Sequence, residues 1–226
     1  MVCSQKGWLR AFKGHQEPSD AIKYREGDRS RFWIHAETTD RLMMFSTDGR
    51  FFTLECSKLP GGRGNGEAIR SFIDLPPETD LVEMFVHQEG RKLLLAATSG
   101  HGFVTAEDDA VAMTKAGKRV MNVKAPGEAV VCTFVDGDSV AAIGENRKLL
   151  IFPLSEVPEL ARGQGVYLQR YKGGGLLDAA TFTWKDGLRD ENGRTFTPSE
   201  LKDWKGARAQ AGRLPPRGWA KSGKFA

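Results

Sequence analysis

The sequence predicts an all-β, five-bladed, propeller-like fold, and three observations carry that prediction. The first is a repeat of turn signals: Thr47-Asp48-Gly49-Arg50, Ser99-Gly100-His101, Glu145-Asn146-Arg147 and Glu191-Asn192-Gly193. From Gly49 to Gly100 is 51 residues, from Gly100 to Asn146 is 46, and from Asn146 to Asn192 is 46. The second is that short apolar, β-prone runs flank the first three turns: Leu42–Phe45 and Phe51–Leu54, Leu93–Ala97 and Phe103–Thr105, Val140–Ile143 and Leu149–Phe152. Turn residues between such runs are hairpin signals. The third is an apolar column late in each unit: Met84-Phe85-Val86, Cys132-Thr133-Phe134-Val135 and Ala180-Thr181-Phe182. A period of 46–51 residues built of strands indicates blades.

The elements divide into five units, near 1–38, 39–88, 89–136, 137–184 and 185–226, read as one closed domain over 1–226. In the first, partial unit, Arg31-Phe32-Trp33-Ile34 matches the late strand of the others. Helix is scarce. Only Ser155–Ala161 and Ser199–Trp204 qualify, the second with an N-cap after Pro198. The Trp-Asp signature of WD40 blades is absent, and the glycine pairs do not fall in the fixed column of kelch blades.

Composition agrees and excludes other classes. The 226 residues are 40% hydrophobic and 27% charged, enough for a core without disulfides and unlike a disordered chain. No apolar run approaches a membrane span, and the start lacks a signal-peptide core. Three widely spaced cysteines (Cys3, Cys56, Cys132) fit a reducing cytoplasm. The net charge of +4 is unevenly placed. Lys205–Ala226 holds six basic residues and no acid, while the rest carries 27 basic and 29 acidic residues, a net of −2. A local electropositive feature on a near-neutral body suits a polyanion; otherwise it is a solvated tail.

One repeated column is basic. Arg63, Lys115, Arg162 and Arg208 follow their turns by 14 to 16 residues, each within a run of small residues such as Gly61-Gly62-Arg63-Gly64 or Arg162-Gly163-Gln164-Gly165. Glycine permits close approach of two backbones. A cation repeated once per blade on such a loop offers an exposed line of positive charge that a phosphate backbone can follow without reading sequence. The alternative is a set of solvated loops. Catalytic signatures are missing: no phosphate-binding P-loop, no complete dinucleotide fingerprint and no nucleophile elbow. The histidines (His15, His35, His87, His101) stand singly, without metal-ligand spacing, so no metal site is expected. Glu107-Asp108-Asp109 reads as a solvent-facing acidic hairpin tip.

Four stretches carry a family resemblance. They are Gly7-Trp8-Leu9-Arg10-Ala11-Phe12-Lys13-Gly14-His15, Leu59-Pro60-Gly61-Gly62-Arg63-Gly64-Asn65-Gly66-Glu67, Leu150-Ile151-Phe152-Pro153-Leu154-Ser155-Glu156-Val157-Pro158-Glu159-Leu160 and Gly212-Arg213-Leu214-Pro215-Pro216-Arg217-Gly218-Trp219. In order, they resemble the C-terminal domain of the A subunit of bacterial topoisomerase IV. The resemblance implies a β-pinwheel, in which neighbouring blades exchange strands, and duplex DNA bound and bent on an outer rim for strand passage in decatenation and relaxation. The Gln-Arg-Arg-Gly-Gly-Lys-Gly box of the related gyrase protein is absent; Lys58-Leu59-Pro60-Gly61-Gly62-Arg63-Gly64 is a degenerate echo, which disfavours gyrase-type wrapping. The family's cleavage tyrosine lies outside this stretch, so Tyr24, Tyr167 and Tyr171 are not candidates and the domain is expected to be non-catalytic.

The DNA-contact residues expected on these grounds are Lys6, Arg10, Lys13, Lys58, Arg63, Arg70, Lys115, Lys118, Arg119, Arg162, Arg170, Arg208, Arg213 and Arg217. No cofactor is expected in this domain; Mg and ATP are implied for the whole enzyme. Implied partners are duplex DNA, the ATPase B subunit and the catalytic core of the chain's own subunit, in the cytoplasm on the nucleoid and away from membranes. A protein-binding propeller is the competing class.

Overall fold

In a computed structural model of the chain, residues 1–14, 16–19, 22–61 and 64–226 are described. They form five antiparallel sheets of four, four, four, three and two strands. The chain packs as two compact units, Met1–Ser46 with Arg50–Gln88 and Val111–Lys118, and Thr47–Gly49 with Glu89–Ala110 and Arg119–Ala226.

The first unit holds two sheets. In one, Val2–Ser4 and Trp8–Arg10 form a hairpin, Ser30–Trp33 lies outside the first strand, and Glu67–Ala68 lies outside the second. In the other, Arg41–Ser46 pairs with Arg50–Glu55 in the register Leu42↔Leu54 and Met44↔Phe52, and Leu81–Val86 covers the first strand. Lys118 opens the short strand on its other edge. Leu42 to Ser46 are all buried, on both faces of the sheet, which is why the strand reads as a continuous apolar run.

The second unit repeats the order. Lys92–Ala97 and His101–Ala106 form a hairpin, flanked by Ala129–Phe134 and Val166–Tyr167. Ser139–Gly144 pairs with Leu149–Pro153 and Leu176–Phe182, and an isolated bridge, Leu149↔Arg213, takes the fourth place. Leu188–Arg189 and Thr195–Phe196 make the last, smallest sheet. Its core sets Trp219 against Phe196 and Phe225, with ring centroids 4.9 and 5.8 Å apart. Each such fully buried aromatic contributes about 1.5–3 kcal/mol.

In each sheet the strand at the far edge therefore comes from the following unit of the sequence. A glycine precedes each entry: Gly66, Gly117, Gly165 and Gly212, with φ of +79°, +71°, +78° and +75°. The space where each side chain would sit is filled by a carbonyl of the receiving strand, from Leu9, Phe51, Gly102 and Leu149 in turn. These glycines belong to the loops that carry the basic column.

Several expectations need correction. The third turn is centred one residue later than its asparagine suggests: Arg147 takes the left-handed place, at φ 62°, that Gly7, Gly49, Gly100 and Gly193 hold elsewhere. The first unit has a complete hairpin, hidden because its strands have three residues each. The Ser155–Ala161 candidate reduces to a 3-10 turn, Leu154–Glu156. The other helix is Pro198–Leu201 followed by the 3-10 turn Lys202–Trp204, and its N-cap is Thr197, whose N–H and Oγ1 both donate to Glu200. Glu107-Asp108-Asp109 is no hairpin tip. It starts a helical turn, and Glu107 is fully buried against Arg91, at 2.5 Å from Nε and 3.1 Å from an Nη. The basic C-terminal end is not frayed: Phe225 N–H donates to Asp178 (3.0 Å), Ala220 N–H donates to Asp190 (3.0 Å), and Trp219, Ala220 and Phe225 are buried.

All three cysteines are free and buried. Burial pushes the Cys3 thiol up to about 12, so at neutral pH it carries essentially no thiolate. A pulse of an alkylating reagent at pH 8 should leave the folded chain unlabelled and modify three thiols after urea unfolding. Rapid labelling of Cys3 in the native protein would show that the first hairpin opens readily.

Candidate nucleic-acid interface

A cation serves a phosphate backbone only if its charge is exposed and not already neutralised. The expected residues divide sharply on this test. In the first unit, Lys13 and Lys115 are exposed and make no ion pair among the described residues. The backbone carbonyl of Lys115 accepts from Asp74 N–H (2.9 Å), which fixes the loop while the side chain stays in solvent. Lys118 is exposed on the incoming strand. Lys6 is exposed but donates to the Glu26 carbonyl (3.0 Å), and Lys58 pairs with Glu55 at 3.0 Å. Arg70 donates to the carbonyls of Leu75, Pro76, Pro77 and Thr79 and so pins the loop before Leu81.

Arg10 corrects the expectation. It is 6% exposed, donates to the carbonyls of Gly64 (2.9 Å) and Lys23 (2.6 Å), and lies over the rings of Phe12 and Tyr24. It is a strut of the first sheet, unreachable by a phosphate. Arg63 lies outside the described residues.

In the second unit, Arg162, Arg213 and Arg217 are exposed and make no ion pair among the described residues, whereas Arg119 faces Asp48 at 3.6 Å. Arg208, expected in solvent, is half-buried: one Nη donates to the Tyr167 carbonyl (2.7 Å), its backbone N–H donates to Glu156 (2.8 Å), and its Nε is buried without a partner. Arg170 is exposed above the Tyr167 ring, 4.6 Å from its centroid.

The strand-exchange loops thus present Lys115 in one unit and Arg162 and Arg213 in the other, each two or three residues before an incoming strand or at its start. Sequence reasoning missed His101 and Tyr167, which are paired across the third sheet with ring centroids 3.8 Å apart. The available signal was that His101, like Arg50, Lys148 and Arg194, directly follows the left-handed turn residue. Among the described residues, no group of three or more His, Cys, Asp or Glu side chains could hold a metal ion. No helix among them is long and apolar enough to cross a membrane.

Comparison with known proteins accounts for this arrangement. A family model described as the DNA gyrase C-terminal domain, beta-propeller, matches residues 40–82 and 138–182, which contain the central hairpins of the second and fourth sheets. The A subunit of DNA topoisomerase 4 from Caulobacter vibrioides is 46% identical over the whole chain, and its counterpart from Rickettsia felis is 41% identical. The chain belongs to the topoisomerase IV A-subunit family. It spans 30% of the length of each of these two relatives. The solved structure of the E. coli ParC C-terminal domain is similar over 96% of this chain and 93% of that one, with a TM-score of 0.83 and 27% identity. A crystal structure of the C-terminal domain of DNA topoisomerase IV shares the fold (TM-score 0.77, 18% identity, 94% of this chain and 71% of that one). Membership thus places the chain at the C-terminal, β-pinwheel part of these proteins, and the incoming edge strands are the exchange that the resemblance implied.

Proposed function

We propose that this chain is the DNA-binding and DNA-bending domain of a type IIA topoisomerase A subunit, holding duplex for strand passage in decatenation and supercoil relaxation. One observation supports it most: in a chain of this family, the strand-exchange loops of both units carry exposed arginine and lysine side chains without ion pairs among the described residues. Contacts of this kind are with phosphates and carry little sequence preference. The domain contributes affinity and no bond-breaking group. Mg and ATP act elsewhere in the enzyme, and the implied partners are the ATPase B subunit and the catalytic core of the chain's own subunit. The setting is the bacterial cytoplasm, on the nucleoid.

A duplex-binding titration across salt concentrations tests this. The log–log slope should be about −0.9 per phosphate neutralised. Lys115→Ala, Arg162→Ala and Arg213→Ala should each flatten the slope by roughly one unit or less and weaken binding alike for unrelated sequences. Stability should move by less than about 0.5 kcal/mol. Binding that is absent at low salt, or indifferent to salt, would refute the proposal. An effect from Lys6→Ala and Lys13→Ala but none from the loop set would move the contact to the N-terminal hairpin.

A further inference from the structure

Within the second unit, one side-chain cluster gathers positive charge with no carboxylate paired to it. Tyr167 enters the third sheet opposite His101, and the two rings lie 3.8 Å apart. Arg170 stands over the tyrosine ring, and Arg208 holds the tyrosine carbonyl. Lys124 lies close enough to act on the imidazole electrostatically, as does Arg170. His101 Nδ1 is engaged by Ser99 Oγ at 3.0 Å, and Nε2 has no hydrogen-bond partner among the described residues. Among those residues no carboxylate pairs with the side chain of Lys124, Arg170 or Arg208, and none acts on His101; Glu156 accepts the Arg208 backbone N–H, not its guanidinium. Tyr167 is 37% exposed, so the cluster opens to solvent.

Like charges gathered around a neutral imidazole are unfavourable unless an anion completes the set. We propose that His101, Lys124, Tyr167 and Arg170 form a seat for one backbone phosphate of duplex DNA, and that filling it places a proton on His101. This rests on the DNA-binding function proposed above. Two kinds of observation meet here: the geometry of a ring pair flanked by cations, and the titration of its imidazole. In the free protein, burial first, then Lys124 and Arg170, hold the His101 imidazole below the usual histidine range. A phosphodiester brings one negative charge, which opposes Lys124 and Arg170 and favours imidazolium. The protonation midpoint therefore rises on binding. Affinity grows as pH falls through the bound-state midpoint and levels off below the free-state one. Between the two, the gain is up to tenfold per pH unit, the limit for uptake of one proton.

The experiment measures the Kd of the chain for a blunt 30-base-pair duplex from pH 5.5 to 8.5 at constant ionic strength, alongside the NMR titration of His101 with and without DNA. Wild type should bind several-fold tighter at pH 5.5 than at pH 8.5. His101→Gln should remove that gain and match wild type within about twofold at pH 8.5. Tyr167→Phe, which keeps the ring pair, should keep the pH dependence. The His101 resonance should titrate at higher pH in the complex. An unshifted His101 resonance on DNA, or an unchanged pH slope in His101→Gln, overturns the phosphate seat while leaving DNA binding intact. Absence of any binding at low salt would instead remove the function on which it rests. The wild-type NMR arm remains decisive if His101→Gln folds poorly.

Discussion

Gly66→Ala should destabilise the chain by about 3 kcal/mol, while Gly64→Ala, two residues away in the same loop, should cost about 1 kcal/mol. Both glycines are left-handed, at φ +79° and +70°, so any L-residue there carries a backbone cost of roughly 1–2 kcal/mol. They differ in what surrounds them. A Cβ on Gly64 meets nothing within 4 Å, whereas one on Gly66 would overlap the Leu9 carbonyl and press on Arg10. Relieving that overlap means pushing Glu67–Ala68 away from Trp8–Arg10, an overpacking cost of about 1–3 kcal/mol more. Gly117 offers a milder case, with Phe51 O 2.7 Å from its would-be Cβ. Urea midpoints at equal m-value measure the difference. Equal losses at Gly64 and Gly66 would mean that backbone conformation alone matters and the close approach of strands contributes nothing.

Glu107→Ala should cost about 3 kcal/mol, and pairing it with Arg91→Met should recover much of that loss. The Glu107 side chain is fully buried and Arg91 retains 22% of its side-chain exposure. Arg91 also covers the Phe134 ring, 3.9 Å from its centroid. Removing one member of a buried ion pair typically costs about 3–5 kcal/mol because the other is stranded without its partner. The exposed edge of Arg91 puts this pair at the low end. Replacing both members by apolar groups removes the stranded charge, so the double variant should be more stable than Glu107→Ala alone. A double variant that is less stable by the sum of the two single losses would show the pair acting as independent contacts.

The central hairpins were legible because Leu42–Phe45, Leu93–Ala97 and Val140–Ile143 are buried on both faces and read as unbroken apolar runs between turns. The exchanged strands were not. Glu67–Ala68 and Val166–Tyr167 have two residues each and lie at an edge, too short to show a period of two. Only the glycines before them marked the place. The interface was half legible for a related reason. Counting cations located Lys115, Arg162 and Arg213, but charge along a chain says nothing of carbonyls that fold back onto it. Arg10 is held by Gly64 and Lys23, and Arg208 by Tyr167, contacts that span from 13 to 54 residues. The acidic run misled for the mirror-image reason: three adjacent carboxylates look solvated until Arg91, 16 residues earlier, turns the first of them inward. His101 and Tyr167 meet only through the pairing of a strand with one that begins 60 residues after it ends.

That borrowing of strands also governs how the chain comes off the ribosome. The edge of Trp8–Arg10 stays open until Glu67, 57 residues beyond Arg10, has been synthesised. The edge of His101–Ala106 likewise waits for Val166. An open strand edge is a template for pairing with the wrong chain. Each stretch of nascent polypeptide therefore seals the sheet made before it while leaving its own edge exposed. Vectorial synthesis supplies the closing strands in the order in which the edges appear, whereas refolding from denaturant presents every edge at once. The edge at Leu149 is the last of these to close, and its cover, Arg213, arrives only 13 residues before Ala226.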